Sequence, residues 1–156
     1  KIQINHYFDT DSFDLGQQKM GLRVREFTNR FEATLKIPQP HGLLEISDEL
    51  AYEKTQTTLA KGLFPESPFV EQALPVVTSK LVPIGSLKTA RIEFPIKEGL
   101  LAIDESWYFN KHDYELELEV ENKTFTKEDF FTYLQQLNIP YKKAQNKIVR
   151  MLNARK

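Results

Sequence analysis

Two segments of the chain alternate charged and apolar residues, Leu22–Glu26 and Tyr114–Glu121. In a β-strand, side chains at positions i and i+2 point to the same face. The charged residues that share a face are Arg23 and Arg25 in the first segment and Glu115, Glu117 and Glu119 in the second. If the apolar residues between them pack against helices, the charged faces point into the middle of a sheet. Arginines and carboxylates on a concave sheet suit a polyanion that is held together with a divalent metal.

The simpler interpretation of such a strand is a solvated one. An antiparallel strand with one apolar and one charged face usually has its charged face in water. Further charged residues in strand-like segments, described below, favour the interior site.

Composition limits the classes of protein and partner. The chain has 156 residues, which predicts a single domain with a sizeable core. Its net charge of −1 gives no overall attraction to nucleic acid or to a membrane, so an anion site must come from local arrangement. The absence of cysteine excludes disulfides and thiolate sites, and it is consistent with a cytoplasmic protein.

Strands dominate the predicted secondary structure. Residues 22–28 and 30–37 predict a hairpin with its turn at Thr28–Asn29, and residues 113–121 form the clearest predicted strand. The remaining predicted strands are 1–8, 76–84, 88–96, 100–103 and 106–110.

Four helical segments are predicted. Residues 43–61 are predicted as one helix with Ser47 as its N-cap, and residues 69–74 as a helical turn. Thr126 is expected to cap a helix over 127–137, and Pro140 is expected to start a last helix. Short strands with a few helices indicate an α+β fold with an antiparallel sheet or barrel.

Six short motifs, taken in order, resemble one family. The motifs are Tyr7-Phe8-Asp9-Thr10, Leu22-Arg23-Val24-Arg25, Ala33-Thr34-Leu35-Lys36, Ala90-Arg91, Leu101-Ala102-Ile103-Asp104 and Tyr114-Glu115-Leu116-Glu117. This series resembles the CYTH superfamily, or triphosphate tunnel metalloenzymes, which includes class IV adenylate cyclases, thiamine triphosphatases, inorganic tripolyphosphatases and fungal RNA triphosphatases. Residues 113–117 look most like a branch from Gram-positive bacteria.

The resemblance implies an antiparallel tunnel of about eight strands, with charged side chains inside and helices outside. It also implies roles for single residues. The basic residues expected to bind phosphate and act in catalysis are Arg23, Arg25, Lys36 and Arg91. The acids expected to hold Mg²⁺ or Mn²⁺ are Glu115, Glu117 and Glu119, with Asp104 as a further ligand and catalytic acid that orients the tunnel cations.

Two more parts of the chain acquire expected roles from the resemblance. Glu45 resembles an acid that pairs with the tunnel bases at the substrate site. The basic residues near the C-terminus usually form a solvated helix face. In some tunnel enzymes a C-terminal helix closes one mouth instead, which would bring Lys147 and Arg150 to the substrate.

One family motif is missing. The family begins with a Glu-x-Glu-x-Lys strand, and none precedes Tyr7. Residues 1–6 resemble the strand that normally follows it. We therefore expect residues 1–156 to be one CYTH-like domain that lacks its N-terminal strand.

The expected activity is metal-dependent hydrolysis of a triphosphate. Inorganic tripolyphosphate is the first choice because nothing in the sequence indicates a base pocket, and nucleoside or thiamine triphosphate comes next. Two alternatives are a class IV adenylate cyclase and a non-catalytic domain that binds polyphosphate or nucleotide. A barrel for apolar ligands is disfavoured, because it would turn Arg23, Arg25 and Glu117 outward. The oligomeric state is left open, with a homodimer as one alternative.

Overall fold

The computed structural model describes residues 1–75, 79–121 and 124–155, which contain seven strands and five helices. The strands are β1 (Ile2–Asp9), β2 (Gly21–Glu26), β3 (Phe31–Gln39), β4 (Gly42–Leu50), β5 (Val82–Ile96), β6 (Gly99–Tyr108) and β7 (Lys111–Val120). The helices are α1 (Asp14–Gln17), α2 (Tyr52–Ala60), α3 (Pro68–Ala73), α4 (Lys127–Gln136) and α5 (Lys147–Arg155).

All seven strands form one antiparallel sheet in the order β4-β3-β2-β1-β5-β6-β7. The sheet curls strongly, so that residues from β2, β3, β5 and β7 line one cavity on its concave face. The predicted α+β fold is therefore confirmed. Within the described residues β4 and β7 do not pair, which makes the sheet a half-barrel instead of the closed tunnel of about eight strands that the resemblance implies. The expected strand before Lys1 stays a prediction.

The predicted hairpin of β2 and β3 is confirmed and sets the two faces of the sheet. Arg23 lies opposite Thr34, and Arg25 lies opposite Glu32. Because opposite residues in a ladder share a face, these side chains point to the concave side. Leu22 and Val24, which alternate with the arginines, are fully buried on the convex side. The alternation therefore points the charges inward, as the sequence predicts.

The main apolar core lies on the convex side of β1 to β4, under the first three helices. Its fully or nearly fully buried members come from strands and helices alike: Phe8, Leu15, Leu22, Val24, Phe31, Ala33, Leu35, Leu50 and Val70. Tyr52 of α2 stacks on Phe31 with ring centroids 5.1 Å apart. Burying apolar area on this face supplies the favourable free energy that lets the other face carry charge.

The prediction of one helix over residues 43–61 is wrong. Residues 42–50 form β4, and the helix α2 begins only at Tyr52. The segment alternates with a period of two, because Ile46, Asp48 and Leu50 face the core side while Glu45 and Ser47 face the cavity side. Ser47 is not an N-cap: its hydroxyl hydrogen-bonds to the Thr34 hydroxyl across the ladder at 2.8 Å.

The later strands are fewer and longer than predicted. Residues 88–96 belong to the fifteen-residue strand β5, and the two predicted strands at 100–103 and 106–110 are one strand, β6. The charged pair Asp104–Glu105 does not break β6, because each carboxylate has a partner on its own side. Asp104 binds Arg91 on the concave face. Glu105 Oε1 lies 2.9 Å from His112 Nε2 on the convex face. Of the strand predicted at 76–84, residues 76–78 lie outside the described residues.

The C-terminal helices are partly as predicted. Thr126 caps α4 with a capping box, in which Asp129 N donates to Thr126 Oγ1 at 3.2 Å and Thr126 N donates to Asp129 Oδ2 at 2.8 Å. The predicted helix start at Pro140 is wrong, since α5 begins at Lys147. Val149 N donates to Asn146 Oδ1 at 3.0 Å, so Asn146 acts as the cap. No described helix has the length and apolarity needed to cross a membrane.

Helix α5 packs on the concave side of the sheet. Met151 is fully buried in a second apolar cluster with Tyr7, Ile84, Leu87 and Tyr108. A close approach to β5 makes this possible: Gly85 has φ +154°, and a Cβ at this position would lie 2.7 Å from Met151 Sδ. The missing side chain at Gly85 therefore lets α5 sit inside the half-barrel.

We expect Gly85→Ala to lower the free energy of unfolding by about 1–3 kcal/mol, the usual cost of overpacking a buried contact. Urea denaturation measures this change. Gly21→Ala is the matched control, because a Cβ there meets nothing within 4 Å, and its effect should stay within about 0.5 kcal/mol. Equal effects of the two substitutions would show that Gly85 is not needed to seat α5.

Candidate active site

One cavity of about 300 Å³ occupies the concave face of the sheet. The six residues that the sequence predicts to converge all line it: Arg23, Arg25, Lys36, Arg91, Glu115 and Glu117. Of the other predicted site residues, Glu45, Glu119 and Lys147 also line it. The predicted convergence on one charged interior is thus confirmed, whereas the role of each residue stays a prediction.

The wall formed by β2 and β3 is basic. Arg25 Nε donates to Asn5 Oδ1 at 2.7 Å, and Arg23 Nε is buried with no hydrogen-bond partner among the described residues. Burial, and then repulsion from Arg23 and Arg91, lowers the pKa of Arg25 to about 10. Partial burial and the charge of Arg23 also lower the pKa of Lys36. Depressed pKa values of this kind mark cations that lack enough negative charge around them.

Two carboxylates give this basic wall partial counter-charge: Glu32, which lies opposite Arg25, and Glu45. Glu45 Oε1 lies 3.5 Å from Lys36 Nζ, and both of these side chains are more than a third exposed. The pairing of Glu45 with a tunnel base agrees with the expectation from the sequence. Such an exposed pair is weak, so the wall keeps a positive charge that an anion could neutralise.

The wall formed by β6 and β7 is acidic. Asp104 lies directly opposite Glu115 in the ladder, and Glu117 follows two residues later on the same face. One oxygen from each of these three carboxylates lies within 4.8 Å of the others. Mg²⁺ and Mn²⁺ prefer such oxygen ligands, so the donor set fits a divalent ion.

Arg91 holds two of these acids in fixed positions. Its Nε and one terminal nitrogen each donate to Asp104 at 2.6 Å, and that nitrogen also donates to Glu117 Oε2 at 2.9 Å. The hydrogen bonds that Arg91 donates to Asp104 raise the pKa of Arg91. Burial alone would raise the pKa of Asp104, but hydrogen bonds from Arg91 and the charge of Lys147 lower it overall. Asp104 is therefore an ionised carboxylate although it is completely buried.

Helix α5 brings two more cations to the acidic wall. Lys147 Nζ lies 3.0 Å from Asp104 Oδ2 and 3.1 Å from Glu115 Oε2, and it also pairs with Glu117 Oε1. Arg150 donates to Glu115 at 2.6 Å and to Asp113 at 3.2 Å. The side chains of Lys147 and Arg150 are only 12% and 13% exposed, so the solvated-face interpretation is wrong for these two residues.

The contacts of Lys147 also explain the protonation of the acidic wall. Burial would raise the pKa of Glu117, but the charge and hydrogen bond of Lys147 outweigh it and lower the pKa overall. Burial would likewise lower the pKa of Lys147, but Glu117, Glu115 and Asp104 raise it. Asp104, Glu117 and Lys147 are therefore charged at neutral pH.

Glu119 lies apart from the three-carboxylate cluster. It is on the same face of β7 and lines the cavity, but its side chain is exposed. Its expected role as a metal ligand stays a prediction.

Sequence reasoning missed several residues of the site, including Lys19, which lines the cavity. Tyr7 lines the cavity, with a pKa raised by burial. Asn5 accepts from Arg25, and Asp113 accepts from Arg150 and from the Tyr108 hydroxyl. The alternation of Gln3, Asn5 and Tyr7 with Ile2, Ile4 and His6 is the signal that could have revealed the inward face of β1.

Comparison with known proteins now identifies the family. The chain is 40% identical over 150 residues to the "putative triphosphatase YjbK" of Bacillus subtilis (strain 168), covering 95% of this chain and 77% of that protein. The crystal structure of a "putative adenylate cyclase" from Bacillus halodurans superposes with a TM-score of 0.83 at 36% identity, covering 96% of this chain and 81% of that one.

A plant protein shares the fold at lower identity. It is the "putative adenylyl cyclase HpAC1" from Hippeastrum, described as having a dominant triphosphatase activity, with a TM-score of 0.73 at 22% identity over 98% of this chain and 82% of that chain. The sequence model of the CYTH domain matches residues 1–152. The chain therefore belongs to the CYTH domain family.

Proposed function

We propose that this protein hydrolyses a triphosphate with the help of a divalent metal, and that inorganic tripolyphosphate is its preferred substrate. One observation carries the proposal: a basic wall without sufficient counter-charge faces a cluster of three carboxylates across a single small cavity. A triphosphate chelated by a metal matches both walls, because its oxygens neutralise the basic side and its metal is held by the acidic side.

The basic wall would bind the phosphate chain. Arg23 and Arg25 offer planar guanidinium groups, which suit phosphate oxygens, and Lys36 adds a compact charge. Since Arg25 is already held by its hydrogen bond to Asn5, it needs little rearrangement when negative charge builds on the phosphoryl oxygens during hydrolysis. Fixed charges of this kind stabilise a transition state more than flexible ones do.

The acidic wall would hold the metal. Asp104, Glu115 and Glu117 supply the oxygen ligands for Mg²⁺ or Mn²⁺. When bound, the ion acts as a Lewis acid that offsets charge on phosphoryl oxygens. Arg91 keeps Asp104 and Glu117 ionised and oriented through its hydrogen bonds, so it positions these acids in addition to lying on the wall of the substrate cavity.

The size of the cavity favours a substrate without a large organic part. Its volume of about 300 Å³ is at the lower end of the range for small-molecule sites. The relatives support triphosphates as the substrate class, since one is named for triphosphatase and another is described with that activity. Nucleoside and thiamine triphosphates are the next candidate substrates after tripolyphosphate.

A class IV adenylate cyclase is the second candidate, because the Bacillus halodurans relative is named for that activity. Both reactions use a metal-bound triphosphate. They differ in products, since cyclisation of ATP yields cyclic AMP and pyrophosphate, whereas hydrolysis yields ADP and phosphate.

We expect the full-length protein to release phosphate from tripolyphosphate faster than from ATP or thiamine triphosphate, and only with Mg²⁺ or Mn²⁺ present. A colorimetric phosphate assay measures the rates, and chromatography of the ATP products separates ADP from cyclic AMP. Metal-dependent binding of all three compounds without turnover would instead identify a non-catalytic binding domain.

We expect Glu117→Gln and Arg25→Ala to impair activity in different ways. Glu117→Gln removes a metal-binding charge, so turnover should fall and the metal concentration for half activity should rise. Arg25→Ala removes a phosphate contact and should weaken substrate binding or turnover with little change in metal demand. Each loss should be on the order of tenfold to a thousandfold. Steady-state kinetics at varied Mn²⁺ measures both.

The matched controls for this pair carry the same changes outside the cavity. They are Glu105→Gln, on the convex face beside His112, and Arg30→Ala, which is exposed beside Glu49. Both controls should keep the rate of the unchanged protein. Normal activity and metal response in folded Glu117→Gln would remove Glu117 from the metal site.

A further inference from the structure

The carboxylates that fit a divalent ion already share one cation, the ammonium of Lys147. Its Nζ is in contact with Asp104, Glu115 and Glu117 at the same time. The same three carboxylates form the oxygen cluster whose donor atoms lie within 4.8 Å of one another. The lysine nitrogen therefore occupies the point at which one cation can contact all three carboxylates.

The charges in this cluster are nearly balanced without a metal. Four carboxylates face three cations, because Arg91 binds Asp104 and Glu117, Arg150 binds Glu115 and Asp113, and Lys147 binds Asp104, Glu115 and Glu117. Adding two positive charges at short distance would therefore leave the cluster with an excess of positive charge. A divalent ion can bind tightly only if one of the resident cations moves away or if an anion enters with the metal.

Lys147 is the resident cation best able to move. Arg91 lies within the long strand β5 and makes three hydrogen bonds to its two acids. Lys147 is the first residue of α5, and it follows residues 137–146, which form neither helix nor strand. Its ammonium is a compact, strongly hydrated charge on a flexible stem, whereas a guanidinium fork is fixed by its geometry.

We infer that Lys147 is a tethered counter-ion that competes with the divalent metal for Asp104, Glu115 and Glu117. In the metal-free protein it neutralises the acids and, together with Arg150 and Met151, holds α5 in the half-barrel. When metal binds, Lys147 leaves the carboxylates, and since it lines the same cavity as Arg23 and Lys36 it can pair with a phosphate of the bound anion. The metal and the triphosphate then favour each other's binding. The metal displaces Lys147 from the carboxylates, and the phosphate pairs with the displaced ammonium. This inference rests on the metal site of the proposed function.

The first test is metal binding without any substrate. Isothermal titration calorimetry with Mn²⁺ should show weak binding to the full-length protein and about 10- to 100-fold tighter binding to Lys147→Met, an effect of the size seen when a group beside metal ligands is changed. Lys147→Arg keeps the charge and should stay weak. Lys143→Met, at an exposed position before α5, is the matched control and should bind Mn²⁺ like the unchanged protein. Equal or weaker binding by folded Lys147→Met overturns the inference.

The second test needs no substitution and covers the case in which Lys147→Met does not fold. Hydrogen exchange of the unchanged protein, read by mass spectrometry, should become faster at the start of α5 when Mn²⁺ saturates the site, because Lys147 no longer holds that end of the helix to β6 and β7, while Arg150 and Met151 still hold the rest. Unchanged or slower exchange at the start of α5 with the metal bound overturns the inference. Both tests are independent of hydrolysis, so an active enzyme in which Lys147→Met has unchanged Mn²⁺ affinity refutes the counter-ion role alone.

Discussion

The buried ion pair between Asp104 and Arg91 is the constraint on which the rest of the site depends. A carboxylate without solvent exposure is strongly unfavourable unless cations and hydrogen bonds surround it. Arg91 meets this demand through two bonds of 2.6 Å, from a position directly opposite on the neighbouring strand. Because the pair belongs to the β5–β6 ladder, its place is fixed by strand register, and so are the places of the acids beside it. A shift of one residue in that register would put Arg91 and Asp104 on opposite faces of the sheet and break the pair.

Because the concave face carries the charged side chains, the convex face must bury most of the apolar surface. A sheet with both faces polar would bury too little apolar surface to be stable. Here the residues between the charges, such as Leu22, Val24 and Leu35, are completely buried under the helices. Helix α5 is the exception, since it packs on the concave side through Met151 and brings its basic residues to the acids. One element thus fills part of the half-barrel and supplies counter-charge to it.

Sequence patterns predicted the strands whose alternation is strict, and they failed where polar residues have partners distant in the chain. The period of two in β2, β3 and β7 placed Arg23, Lys36 and Glu117 correctly. Residues 43–50 have helix-forming residues such as Leu and Glu, but pairing with β3 overrides this preference. The site's local motifs were predictable, because each lies within one strand. The position of α5 on the sheet was not predictable in this way. It depends on the space left by Gly85, which no local pattern reveals.

The two walls of the cavity differ in how complete their charge balance is, and this difference decides what the site can select. Six basic and four acidic residues line the cavity, although the whole chain has a net charge of −1. The overall charge therefore does not attract anions from a distance, and discrimination must occur after entry. On the acidic wall every carboxylate of the cluster already has a cation, whereas on the basic wall Arg23 and Arg25 repel each other. An anion gains free energy by relieving that repulsion, but a lone cation gains less from a wall whose carboxylates already pair with cations. The charge distribution of the two walls is therefore consistent with the proposal that an anion enters together with its metal.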